Sequence, residues 1–190
     1  YLFCILIMIY RFIIQVIGYA SALMLIILLG AKATSIPIKK KGFKNYETEG
    51  NLLHFRNEKS YDFLFMGISH ARNFSRHKNH LRLDTILNNT FINIGKGGGS
   101  CGVAEQHFYL KYFYKKKNKT KKVVYVLSPP ILFNTGLSLA SNTFDDEPFE
   151  FDFFNDYVFF NSDNKFQRLY SYVNSKYSND WKKYKPKSFN

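Results

Sequence analysis

The sequence predicts an α/β fold: a parallel sheet between helices in a three-layer sandwich, preceded by one transmembrane helix. Three observations predict it. The first thirty residues are almost wholly apolar, three short apolar segments end in glycine or Ser-Pro turns, and the stretches between those segments have roughly helical spacing.

The anchor comes first, over residues 1–30. Residues 12–29 read FIIQVIGYASALMLIILL, 18 residues in which Gln15 is the one strongly polar side chain. That length is the lower edge of what crosses a hydrocarbon core roughly 30 Å thick. A second apolar run, 1–10, lies beyond Arg11, and the two can form one longer tilted helix with Arg11 snorkelling to the headgroups. A signal peptide is the rival reading, because Ala31-Lys32-Ala33 has the look of a cleavage site; the length of the run favours an uncleaved anchor. No initiator Met is present and the apolar run begins at residue 1, so the chain is expected to be a fragment.

A polar linker is expected over 31–60, where Pro37, Gly42 and the lysine cluster act as breakers. The domain core is then expected over 61–140. A buried strand over 61–66 feeds the turn at Gly67, and a helix follows over 71–88 with Leu81, Leu83, Ile86 and Leu87 inward. A second strand over 90–94 runs into the glycine-rich stretch 95–100. The clearest helix spans 103–114, opened by Ser100 and closed by a lysine run that suits the negative helix end. A third strand over 122–127 stops at Ser128-Pro129-Pro130. The remainder, 141–190, reads as an acidic and aromatic insertion, with seven Phe by residue 164, and an incomplete C-terminal segment.

Strand, helix, strand, helix, strand at this spacing means a parallel sheet with helices on both faces. Ligands bind such sheets at the carboxyl ends of the strands. The residues that converge there are Gly67-Ile68-Ser69-His70, the 95–100 stretch and Ser128-Pro129-Pro130.

Charge and cysteine content exclude little. The net charge is +13, and the lysines cluster at 39–41, 115–117, 121–122 and 182–183. No nucleic-acid module accompanies them, so they read as solvated surface and no nucleic-acid partner is expected. Cys4 sits in the apolar run and Cys101 stands alone in the polar part, which leaves no disulfide framework. His77 and His80 are spaced three apart, but no third ligand is close in sequence, so no metal is expected. The 95–99 glycines could cradle a phosphate at a helix start. They lack the lysine and hydroxyl order of a P-loop, and no cofactor is expected.

Ser69 is the residue with catalytic chemistry. In a G-x-S turn after a strand its hydroxyl is exposed, with backbone N–H groups at hand for an oxyanion. The plain alternative is a helix N-cap. The G-x-S-x-G elbow is not met, because Ala71 stands at the second glycine.

The segment Phe63-Leu64-Phe65-Met66-Gly67-Ile68-Ser69-His70-Ala71-Arg72, followed by Asn93-Ile94-Gly95-Lys96-Gly97-Gly98, resembles the first two motifs of the SGNH (GDSL-like) hydrolase superfamily. The third strand with its Ser-Pro tail is similar to the membrane-anchored members that accompany surface-polymer acylation, such as the D-alanyl transfer and alginate acetylation proteins. The resemblance covers about residues 60–134. It implies Ser69 as nucleophile and Gly98 as an oxyanion donor, with Gly97, His70 and Ser128 as adjoining binding residues. The chain departs from the family at Ile68, where many members have Asp. It departs again at Ser128-Pro129-Pro130, where an Asn is usual and Asn134 is a distant substitute. No His follows His107, so the family's Asp-x-x-His base is expected beyond residue 190.

The function implied is a membrane-anchored serine esterase or O-acyltransferase acting on cell-surface carbohydrate or polymer. Membrane lipid, the surface polymer and a membrane-bound O-acyltransferase are the implied partners. Two alternatives stay open. One is a non-catalytic anchored module that binds the polymer or scaffolds an acylation complex. The other is a cytoplasmic-facing domain whose lysines meet anionic lipid. Lys32, Lys39, Lys40, Lys41 and Lys44 after the apolar run favour a cytoplasmic domain by charge counting, while the resemblance favours an extracytoplasmic one.

Overall fold

The computed structural model describes residues 2–40, 46–47, 50–55, 57–97, 101–129, 133, 139–178 and 187–188. The apolar run forms one continuous helix, α1 (Leu2–Lys40). Its stretch Ile5–Ile36 is long and apolar enough to cross a membrane, and the apolar side chains up to Ile27 are exposed. The helix runs ten residues past the expected end of the anchor at residue 30. Packing is the physical reason. Ala31 and Ser35 are buried against the domain, Ser35 Oγ accepts the Phe149 N–H at 2.8 Å, and Lys32 pairs with Glu150 at 2.6 Å. A two-residue antiparallel pair, β1 (Tyr46–Glu47) with β5 (Lys187–Ser188), joins distant parts of the chain.

The three expected strands are present as β2 (Ser60–Gly67), β3 (Phe91–Asn93) and β4 (Lys119–Val126). They form a parallel sheet in the order β3-β2-β4, with Leu64 opposite Ile92 and Val123, and Gly67 opposite Val126. Side chains alternate across β2. Leu64 and Met66 join the buried core, while Phe63 stacks on Phe91 at 4.9 Å and Phe65 meets Phe74 at 5.2 Å.

Between β2 and β3 the chain forms α2 (Ser69–Arg72), a 3₁₀ stretch over Asn73–Lys78, and α3 (Asn79–Leu87), in place of one unbroken helix. Ile86 and Leu87, expected to face inward, are exposed, and Leu83 is half-buried. Helix α4 (Val103–Lys115) lies where the sequence places it. Its cap is Gly102, which makes no side-chain cap bond; Ser100, expected to open the helix, lies outside the described residues.

The acidic and aromatic stretch supplies much of the core. Phe144, Phe149, Phe153 and Tyr157 are fully buried with Phe108, Tyr109, Tyr112 and Phe113 of α4. Phe153 and Tyr157 lie on α5 (Phe151–Val158), and Leu169 and Tyr172 on α6 (Lys165–Asn174) pack behind them. The rings meet mostly edge-on, as at Phe144–Tyr157 (4.7 Å) and Phe108–Tyr157 (4.9 Å), the geometry aromatic quadrupoles favour. α6 also packs against α1.

Two buried ion pairs cross this core. Glu147 accepts from Lys96 (3.0 Å), the Tyr109 hydroxyl (2.6 Å) and the backbone N–H groups of Asn51 and Leu52 (2.9 and 2.8 Å). Arg168 donates to Glu105 (2.6 Å) and to the Asp163 and Ala140 carbonyls.

Candidate functional site

β2 ends at Gly67 with φ +140°, a conformation that side chains rarely adopt. A Cβ there would also come within 2.7 Å of the Val126 carbonyl and 3.0 Å of the Ala71 methyl. Glycine is therefore required for β2 to turn this close to β4 and still start a helix. Ile68, buried, occupies the N-cap position, and Ser69 is the first residue of α2. The cap position, where a serine hydroxyl would bond the first turn, falls one residue earlier, and no side chain caps this helix. Ser69 is half-buried, and among the described residues its hydroxyl makes no hydrogen bond.

The loop after β3 is pinned to this turn. Ile94 N–H donates to the Phe65 carbonyl at 2.9 Å and Lys96 N–H to the Gly67 carbonyl at 3.1 Å. Asn93 works in both directions, donating from Nδ2 to the Ala71 carbonyl at 2.7 Å and accepting the Gly95 N–H at 2.8 Å. Gly95 lies so close that a Cβ would fall 2.7 Å from the Ala71 methyl and 2.8 Å from the Arg72 nitrogen. Gly97 lies against the Arg72 guanidinium, 2.7 Å from Cζ to where its Cβ would be. Behind the loop, the buried Lys96–Glu147 pair ties it to the 51–53 turn.

At the end of β4, Ser128 is 3% exposed and its hydroxyl has no partner among the described residues. Gln106, near the start of α4 and also 3% exposed, has neither amide atom bonded among them. The turns after β2 and β3 and the end of β4 therefore meet at one end of the sheet. Gly98 lies outside the described residues, as do Ser100 and Asn134.

Among the described residues no histidine is hydrogen-bonded to the Ser69 hydroxyl. His70 is exposed, and His107 is exposed with its ring 6.1 Å from that of Phe160. The described residues contain no group of three or more His, Cys, Asp or Glu able to hold a metal ion. Cys101 is no rival nucleophile: burial pushes its thiol up to about 12, leaving it protonated at neutral pH.

Two surface clefts lie elsewhere. One of about 400 Å³ is lined by Asn73, Phe74, Asn79, Arg82, Leu83 and Ile86. The other, of about 470 Å³, lies between α4 and α5 and includes Lys111, Lys115 and Asp156. Ser69 borders neither.

Sequence reasoning included Arg72 in the first motif without giving it a role, and it missed Gln106. Arg72 had a signal, three residues after the serine and so on the next turn of its helix. Gln106 had none, because a glutamine on an amphipathic helix reads as surface. The chain matches no protein-family model, no curated protein and no solved structure.

Proposed function

We propose that the chain is a membrane-anchored serine esterase or O-acyltransferase on an SGNH-type three-layer sandwich, acting on cell-surface carbohydrate or polymer. Ser69 Oγ attacks the acyl carbonyl and passes its proton to a base. The tetrahedral oxyanion is held by backbone N–H groups of the turn after β2 and, by the resemblance, of Gly98. The C–O bond to the leaving alcohol breaks as the base returns the proton to it, and the acyl group moves from Ser69 to water or to an acceptor hydroxyl. One observation carries this reading. The Ser69 hydroxyl has no hydrogen-bond partner among the described residues, yet a left-handed glycine and an asparagine clamp hold its turn in place. A base must reach Ser69 from outside the described residues.

The test is labelling of the full-length membrane protein by a fluorophosphonate probe. Labelling that is lost in Ser69→Ala supports the assignment, and absence of labelling in the active, folded protein removes it.

That no base is hydrogen-bonded to Ser69 among the described residues favours a second reading, a non-catalytic anchored module that binds surface polymer. It expects no labelling, with polymer retained by both the native protein and Ser69→Ala.

A further inference from the structure

Helix α6 has two unlike sides. Arg168, Leu169 and Tyr172 are buried, whereas Phe166 and Tyr170 are 81% and 73% exposed. At a spacing of four they share one face of the helix. In the turn just after α6, the Tyr177 hydroxyl donates to the Ile27 carbonyl of α1 and stands where a Cβ on Gly30 would be. Ile27 precedes Lys32 by five residues, about 7.5 Å along the helix at 1.5 Å per residue. Tyr177 therefore reaches past the Lys32–Glu150 pair to the edge of the apolar part of α1, whose side chains from Ile5 to Ile27 are exposed.

Soluble surfaces scatter large apolar side chains singly. Two exposed rings on one helix face, with a third against an apolar segment, match what membrane interfaces accommodate: aromatic bodies at headgroup depth, with cationic tips among the phosphates. Lys165 meets the second condition, its ammonium standing 5.7 Å from the Phe166 ring centroid. We infer that α6 lies in the headgroup layer of the membrane that holds α1, with lipid as the occupant of the Phe166–Tyr170 face. This rests on α1 spanning that membrane. It also fixes how the domain is turned toward the bilayer, which a helix anchor alone leaves open.

Single cysteines at Phe166→Cys, Tyr170→Cys, Val16→Cys and Lys119→Cys, each in a Cys4→Ser/Cys101→Ala full-length background, test this with nitroxide labels in phosphatidylcholine vesicles. Power saturation compares molecular oxygen, which concentrates in lipid, with a water-soluble nickel chelate. The expected result is oxygen accessibility above chelate accessibility at positions 16, 166 and 170, and the reverse at 119. If 16 reports lipid while 166 and 170 behave like 119, α1 spans the membrane and the placement of α6 is overturned. If 16 reports water, both fall together. Exclusion of both reagents at 166 and 170 would mean a protein covers this face, which also overturns the proposal.

Discussion

The Asn93 carboxamide and the Ala71 carbonyl meet at 2.7 Å, and that bond joins the loop after β3 to the helix that Ser69 starts. The same side chain accepts the Gly95 N–H, so one residue sets the distance between the serine turn and the glycine loop. Replacement by Ala removes both bonds. Asn93→Ala is expected to lower stability by about 1–3 kcal/mol, the range for leaving buried polar groups unpaired. If Ser69 is reactive, the variant also slows fluorophosphonate labelling. Chemical denaturation and labelling rates on the same preparation check the two effects, and an unchanged midpoint would remove Asn93 as a clamp.

Gly67 sets the direction in which the serine is presented. Gly67→Ala has to hold a side chain at φ +140° with its Cβ 2.7 Å from the Val126 carbonyl. Strain and overpacking together are expected to cost about 2–4 kcal/mol. Gly18, whose Cβ would meet nothing within 4 Å, is the matched control. Thermal unfolding in detergent should separate Gly67→Ala clearly from Gly18→Ala.

The two partners of the buried pair behind the loop are unequal. Removing Glu147 leaves the Lys96 ammonium, the Tyr109 hydroxyl and two backbone N–H groups without their acceptor. Glu147→Ala is expected to cost about 3–5 kcal/mol, as for other broken buried ion pairs. Lys96→Met leaves the carboxylate three of its four donors and should cost less. Equal losses in urea unfolding would contradict this ranking.

Two buried groups give stability a characteristic pH profile. Burial pulls the Lys176 amine down to about 7 from its ordinary 10.5. Between those values the unfolded chain binds the extra proton, so stability rises with pH by up to about 1.4 kcal/mol per unit. Cys101 acts in the opposite sense. Its thiol is pushed up to about 12 from 9.0, so above pH 9 the unfolded chain has lost a proton that the folded one keeps, and stability falls. The sum is a rise from about pH 7 to 9 followed by a plateau. Lys176→Met should abolish the rise, and Cys101→Ala should extend it towards pH 10. A native profile that is level from 7 to 9 would refute the assignment.

The parts of the fold legible in the sequence were those that local pattern dictates. Short apolar runs ending at Gly67, Asn93 and Ser128 mark the strands, and α4 shows helical spacing with a lysine-rich end. Residues whose burial depends on distant partners were not legible. Glu147 lies in an acidic run that reads as surface, and only Lys96, Tyr109 and the 51–52 backbone, far away in sequence, make it internal. Arg168 is hidden in the same way by Glu105, 63 residues earlier. At the candidate site, the G-x-S and N-x-G patterns marked the two loops. Their closeness could be read from topology, but the bond from Asn93 to Ala71 could not, since no spacing rule encodes it.

The junction at Ser35 and Lys32 leaves the domain no tether. The anchor helix enters the fold directly and is bonded to it at Phe149 and Glu150, so the domain cannot swing or rise on a loose leash. With α1 in a bilayer, the rim around Ser69 is held at one fixed altitude above it. Inserting one residue into α1 ahead of Ile27, outside the junction, would rotate the domain by about 100° around its own mast at 3.6 residues per turn.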